Sequence, residues 1–108
     1  MNNHVQNWLQ TVKNIVLNNI DLDNFNVFLF GSYARGDFEQ GSDFDIGIYG
    51  QEKIDLNIIN KIKSEIDSCI VPNKIDIVDF TRITDLNFKK QALKDIIIWN
   101  RAKNFHLN

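Results

Sequence analysis

Two short segments carry the residues best suited to chemistry. The first is Gly31-Ser32-Tyr33-Ala34-Arg35-Gly36, and the second is Ser42-Asp43-Phe44-Asp45-Ile46. Gly31 follows an apolar run, Val27-Phe28-Leu29-Phe30, that reads as a buried strand. A glycine there lets the backbone turn sharply and approach a ligand closely. Ser32 adds a hydroxyl and a backbone N–H, and a short helix starting near Tyr33 would point unpaired N–H groups at the same place, which favours an anion. The segment Asp37-Phe38-Glu39-Gln40, bracketed by Gly36 and Gly41, reads as a loop, and the chain re-enters a strand at about 44–49.

Alternate strand residues share a face. Asp43 and Asp45 are therefore expected to project together, about 7 Å apart, with Phe44 and Ile46 on the core side. Carboxylates so placed repel one another unless a cation intervenes. A hard cation with oxygen ligands, most simply Mg²⁺, relieves the repulsion and bridges to phosphate oxygens. Paired ions in such sites lie roughly 3.5–4 Å apart and clamp the attacking and leaving oxygens. A return antiparallel to the first strand places Ser32 beside Asp43, so the two segments form one site for phosphoryl or nucleotidyl chemistry on a nucleoside triphosphate.

A third carboxylate is available in Lys74-Ile75-Asp76-Ile77-Val78-Asp79-Phe80. Asp76 and Asp79 have opposite parity and face opposite sides of a strand. The helical pattern before this run implies a right-handed crossover and a parallel strand. Asp43 and Asp45 start their strand, so the matching carboxylate should start the third, which favours Asp76. Asp79 then reads as a strand-end or helix-cap residue.

The remaining elements must hold these groups in place. Val5, Trp8, Leu9, Val12, Ile15, Val16 and Ile20 recur at helical spacing over about 4–19. Leu56, Ile59, Ile62, Ile66 and Cys69 mark a second helix stopped before Pro72, with Cys69 expected as a core thiol. Residues 81–94 read as a third helix and Ile96-Ile97-Ile98-Trp99 as a last strand. The expected fold is α/β (α+β), a mixed sheet of about four strands flanked by helices, in a single domain over residues 1–108. Apolar residues make up 44% of the chain and include eight Phe and two Trp, enough for a sizeable core.

Composition narrows the function. Twelve Lys and Arg against fourteen Asp and Glu give a net charge of −2, which argues against direct nucleic-acid binding by the chain as a whole. One cysteine excludes an intrachain disulfide and a cysteine zinc site. No signal-peptide pattern or run of about 18 apolar residues is present, so a cytoplasmic protein without membrane contact is expected. His4 and His106 lie near the termini and are not read as catalytic. Arg35 is open between a phosphate or partner contact and a solvated side chain. For Tyr33, packing under the turn is favoured over lining the pocket.

The GSYARG and SDFDIGI segments, with the later IDIVD run, resemble the signature of the DNA polymerase β-like nucleotidyltransferase superfamily. In length the chain is similar to the minimal nucleotidyltransferases, the MntA-like antitoxin partners of HEPN-domain proteins, and the likeness runs from the first helix to about Trp99. The resemblance implies the nucleotidyltransferase fold. It also implies Asp43, Asp45 and Asp76 as metal-binding catalytic carboxylates, and Gly31, Ser32 and Arg35 as nucleotide contacts. The implied substrate is ATP or another NTP with Mg²⁺, and the implied partner is a HEPN-domain toxin modified on a tyrosine hydroxyl. About 28 residues follow the third strand, which leaves no acceptor domain, so a second protein is expected to bring the acceptor. The competing reading is a module that neutralises its partner by masking it, without catalysis.

Overall fold

The computed structural model describes residues 3–107. Helix α1 (Asn3–Asn19) buries Val5, Leu9, Val12 and Val16, the stripe that its 3.6-residue periodicity requires. Helix α3 (Leu56–Asp67) does the same with Ile59, Ile62 and Ile66, and starts where the Asp55 carboxylate accepts from Asn57 N–H at 2.9 Å. Between them in sequence come β1 (Phe25–Phe30), a five-residue helix α2 (Gly31–Arg35) and β2 (Phe44–Gly50). After α3 come β3 (Ile75–Asp79), a 3-10 turn (Phe80–Arg82), helix α4 (Leu86–Ala92) and β4 (Ile97–Asn100).

The four strands form one mixed sheet in the order β3-β2-β1-β4. The β1–β2 and β1–β4 pairs are antiparallel, and β2–β3 is parallel across the α3 crossover. Strand alternation then sorts the side chains. Val27, Leu29, Phe44, Ile46, Ile48 and Ile77 join the stripes of α1 and α3 in the main core. The other face carries a smaller cluster of Phe28, Phe30 and Phe80, covered by Leu93, Ile96, Ile98 and Leu107. Phe80 meets Phe28 and Phe30 edge-on, with centroids 5.0 and 5.1 Å away. Such pairs contribute about 0.5–1.5 kcal/mol each beyond burial. Gly47 makes room for this cluster, because a Cβ there would overlap the Phe28 ring.

The mixed four-stranded sheet, the antiparallel return and the parallel crossover agree with the sequence reading. Two local expectations do not hold. The helix expected over 81–94 is a 3-10 turn, an extended link through Ile83, and the seven-residue α4. Two aspartates punctuate it. Asp79 accepts from Thr81 N–H at 3.0 Å, and Asp85 accepts from Asn87 and Phe88 N–H at 3.0 and 3.1 Å, so each starts a new turn. Cys69 is not a core thiol: α3 ends at Asp67, and Cys69 sits half-buried beyond it, its sulfur 3.4 Å from the Glu65 carbonyl. Among the described residues no helix is long and apolar enough to cross a membrane.

Candidate active site

The end of β1 and the starts of β2 and β3 meet at one end of the sheet. Phe30 pairs with Asp45 across the antiparallel ladder, and Asp45 pairs with Asp76 across the parallel one. The two carboxylates are thus at the same level on neighbouring strands, which lie about 4.8 Å apart. Asp45 is half-buried and Asp76 is exposed. Burial, followed by the charges of Asp76 and Asp43, pushes the Asp45 carboxyl up from 3.8 to about 6, while Arg35 opposes the rise.

Gly31 opens α2 with φ of +74°, a conformation that side chains with a Cβ rarely adopt. A Cβ at this position would overlap Asp45 Oδ2 and lie 3.2 Å from Asp45 Cβ. The absence of a side chain at position 31 is therefore what leaves space for the Asp45 carboxylate. The first-turn N–H groups of α2 lack helical acceptors, as in any α-helix, and no side chain caps them. The Ser32 carbonyl is engaged by Gly36 and Asp37 N–H at 2.9 and 3.2 Å. Its hydroxyl makes no hydrogen bond among the described residues.

β2 begins at Phe44, where the strand is expected, and Asp43 sits in its lead-in, close enough for its charge to act on Asp45. A network missed in the sequence holds this lead-in. The buried Asn73 amide donates to the Ser42 carbonyl at 2.9 Å and to Tyr33 Oη at 3.2 Å, and Phe44 N–H reaches the Lys74 carbonyl at 2.9 Å. Tyr33 packs as favoured, stacked on Phe38 at 4.3 Å and edge-on to Phe44 at 4.8 Å. No spacing signal marks Asn73; only its place just before the β3 run hints at it.

Asp79 lies away from this group. It is buried and accepts from Ile54 and Thr81 N–H, both at 3.0 Å, and Arg82 Nε approaches it at 3.2 Å. It caps the 3-10 turn, as its parity suggested. Arg35 is exposed and donates from Nε to Asp37 Oδ2 at 3.1 Å. That bond, with the charges of Asp37, Asp95 and Asp45, raises its already high pKa. His4 instead stacks on Trp8 in α1.

Among the described residues no three carboxylates, imidazoles or thiols are gathered closely enough to hold an ion unaided. The donor set still suits Mg²⁺, which takes one or two carboxylates and completes its shell with water and phosphate oxygens. Burial first, and then the negative charges of Asp76 and Asp43, raise the Asp45 carboxyl, and a cation beside Asp45 and Asp76 would offset that charge.

This chain belongs to a nucleotidyltransferase family: the sequence model described as Polymerase beta, Nucleotidyltransferase matches residues 10–104. Three solved structures give the nearer architectural context. A chain from a mutant MntA–HpeT toxin–antitoxin is 18% identical with TM-score 0.63, over 83% of this chain and 70% of that one. A chain from the tri-AMPylated Shewanella oneidensis HEPN toxin in complex with MNT antitoxin is 18% identical with TM-score 0.60, over 87% and 70%. A chain from a toxin–antitoxin with AMP-PNP is 22% identical with TM-score 0.57, over 86% and 70%. At these identities the likeness is one of fold. No curated protein sequence matches the chain.

Proposed function

We infer that the chain transfers a nucleoside monophosphate, AMP from ATP, to a hydroxyl on a partner protein. The observation that carries this reading is the register of Asp45 beside Asp76 at the mouth of the Gly31-Ser32 turn. In this account Asp45 and Asp76, with Asp43 from the lead-in, hold Mg²⁺, which when bound neutralises charge on the triphosphate and on the leaving group. The α2 N–H groups and the Ser32 hydroxyl bind the β- and γ-phosphates. Arg35 exchanges Asp37 for a phosphate oxygen. The acceptor oxygen attacks the α-phosphorus, the bond to the bridging oxygen breaks, and pyrophosphate leaves. The acceptor proton passes to Asp76, the more exposed carboxylate. Positioning and charge neutralisation supply most of the rate.

The acceptor we assign is a tyrosine of a HEPN-domain toxin, which makes the chain an antitoxin. Support comes from the related fold found in complexes with such a toxin, one of them tri-AMPylated. Calorimetric titration with ATP tests the first step. A Mg²⁺-dependent component of binding should be present in the wild type and absent in the Asp45→Asn variant. Equal affinity with and without the metal in both proteins would remove the site from this chemistry.

A further inference from the structure

The far end of the second sheet face holds a cavity of about 500 Å³ that the nucleotidyltransfer reading does not use. Its floor is aromatic: Tyr49 on β2 and Phe105 on the C-terminal segment, with centroids 5.0 Å apart. Lys89, Lys90 and Lys94 line its rim. Tyr49 follows Asp45 on the same strand face by four residues, about 13 Å. The buried rings of Phe28 and Phe80 stand between the two places.

The cavity is a built feature. Asn26, fully buried in β1, accepts from Ala102 N–H at 2.9 Å and donates to the Phe105 carbonyl at 2.8 Å, which fixes the segment carrying Phe105. Lys89 Nζ lies 4.9 Å over the Tyr49 ring and 3.3 Å from its hydroxyl. None of the three lysines forms an ion pair among the described residues, where the pairs are Arg35–Asp37 and Arg82–Asp79. Charge is also unevenly distributed. From residue 86 onward Lys89, Lys90, Lys94, Arg101 and Lys103 face only one acidic side chain, Asp95, in a chain whose net charge is −2.

We propose that this cavity is a second, metal-independent anion site that takes a nucleotide, its phosphate on Lys89, Lys90 and Lys94 and its base against Phe105. Lysine ammonium groups supply the charge that phosphate needs, and an aromatic face accepts any base by stacking. The volume lies within the usual range for small-ligand pockets. The site is independent of the transfer reaction and stands or falls apart from it.

The test is a titration of the full chain with AMP, followed by amide NMR in EDTA so that no divalent ion supports the carboxylate end. Amides of residues 89–94 and 105–107 should shift, and should shift equally in an Asp45→Asn background. Lys90→Gln with Lys94→Gln, both exposed positions, should weaken AMP about 10-fold or more. Inorganic phosphate should bind at least about 5-fold more weakly than AMP, since it lacks a base to stack. Shifts confined to residues 31–35, 45 and 76 would overturn the proposal. Inorganic phosphate binding as tightly as AMP would overturn the nucleotide assignment. So would a hexaglutamate peptide that binds as tightly as AMP, which would mark the cavity as a dock for acidic protein segments.

Discussion

Replacing Gly31 by alanine separates the two roles of that residue, and Gly36 supplies the control. Both have positive φ, +74° and +84°. Alanine at either position forces a left-handed conformation that costs about 1–2 kcal/mol. For a domain of this size that lowers the melting temperature by about 4–8 °C per kcal/mol. The surroundings differ. A Cβ at Gly36 has nothing within 4 Å, whereas one at Gly31 overlaps the Asp45 carboxylate. The end of a side chain can rotate away cheaply, so the collision adds little to the loss of stability and instead moves the carboxylate. Displacing a catalytic group by about 1 Å can cost 10²-fold in rate. The two variants should therefore melt at similar temperatures, while Gly31→Ala alone loses about 10²-fold in label transfer from ATP per folded molecule. Equal rates for the two variants, assayed below both melting points, would refute the link between Gly31 and Asp45.

Other outcomes follow from the same geometry. The folded-state carboxyl of Asp45 titrates at about 6 against 3.8 ordinarily, so folding favours its protonated form, and the penalty appears as pH rises from about 4 to 6 and is complete above that. That difference corresponds to about 3 kcal/mol, which solvent screening of the half-exposed group reduces to roughly 1 kcal/mol. Asp45→Asn should therefore stabilise the metal-free protein by that amount at pH 7 and by almost nothing at pH 4, as read by urea unfolding; equal stabilisation at both would contradict the assigned cause. Asp76→Asn should move the Asp45 carboxyl back toward its ordinary value, seen by NMR titration of the side-chain carbon, and an unchanged midpoint would separate the two residues. Asp79→Ala strands the Ile54 and Thr81 N–H groups and should cost at least about 2 kcal/mol, yet leave transfer per folded molecule intact; lost transfer would place Asp79 in the site.

Periodicity made the sheet and the two long helices legible because each has one stripe to bury: Val12 and Val16 in α1, Ile59 and Ile62 in α3. Parity and the crossover rule separated Asp76 from Asp79 for the same reason, since a strand residue has only two faces. The helix expected over 81–94 failed because local capping by Asp79 and Asp85 outweighed a weak apolar pattern. Cys69 was misplaced because an apolar stripe does not say which turn is the last. Asn73 and Gly47 were invisible for a different reason. Each matters through a partner distant in sequence, Ser42 and Tyr33 for Asn73 and the Phe28 ring for Gly47. The raised Asp45 carboxyl likewise depends on burial and a neighbour on another strand.

The central claim is transfer of AMP to a partner protein by the Asp45–Asp76 pair. Its most direct test is the intact mass of a HEPN-domain partner incubated with this chain, ATP and Mg²⁺. The account predicts a gain of one or more AMP residues, located on tyrosine, that is lost in the Asp45→Asn, Asp76→Asn double variant. An unmodified partner that is nonetheless bound and neutralised, by wild type and double variant alike, would contradict transfer and leave masking as the function.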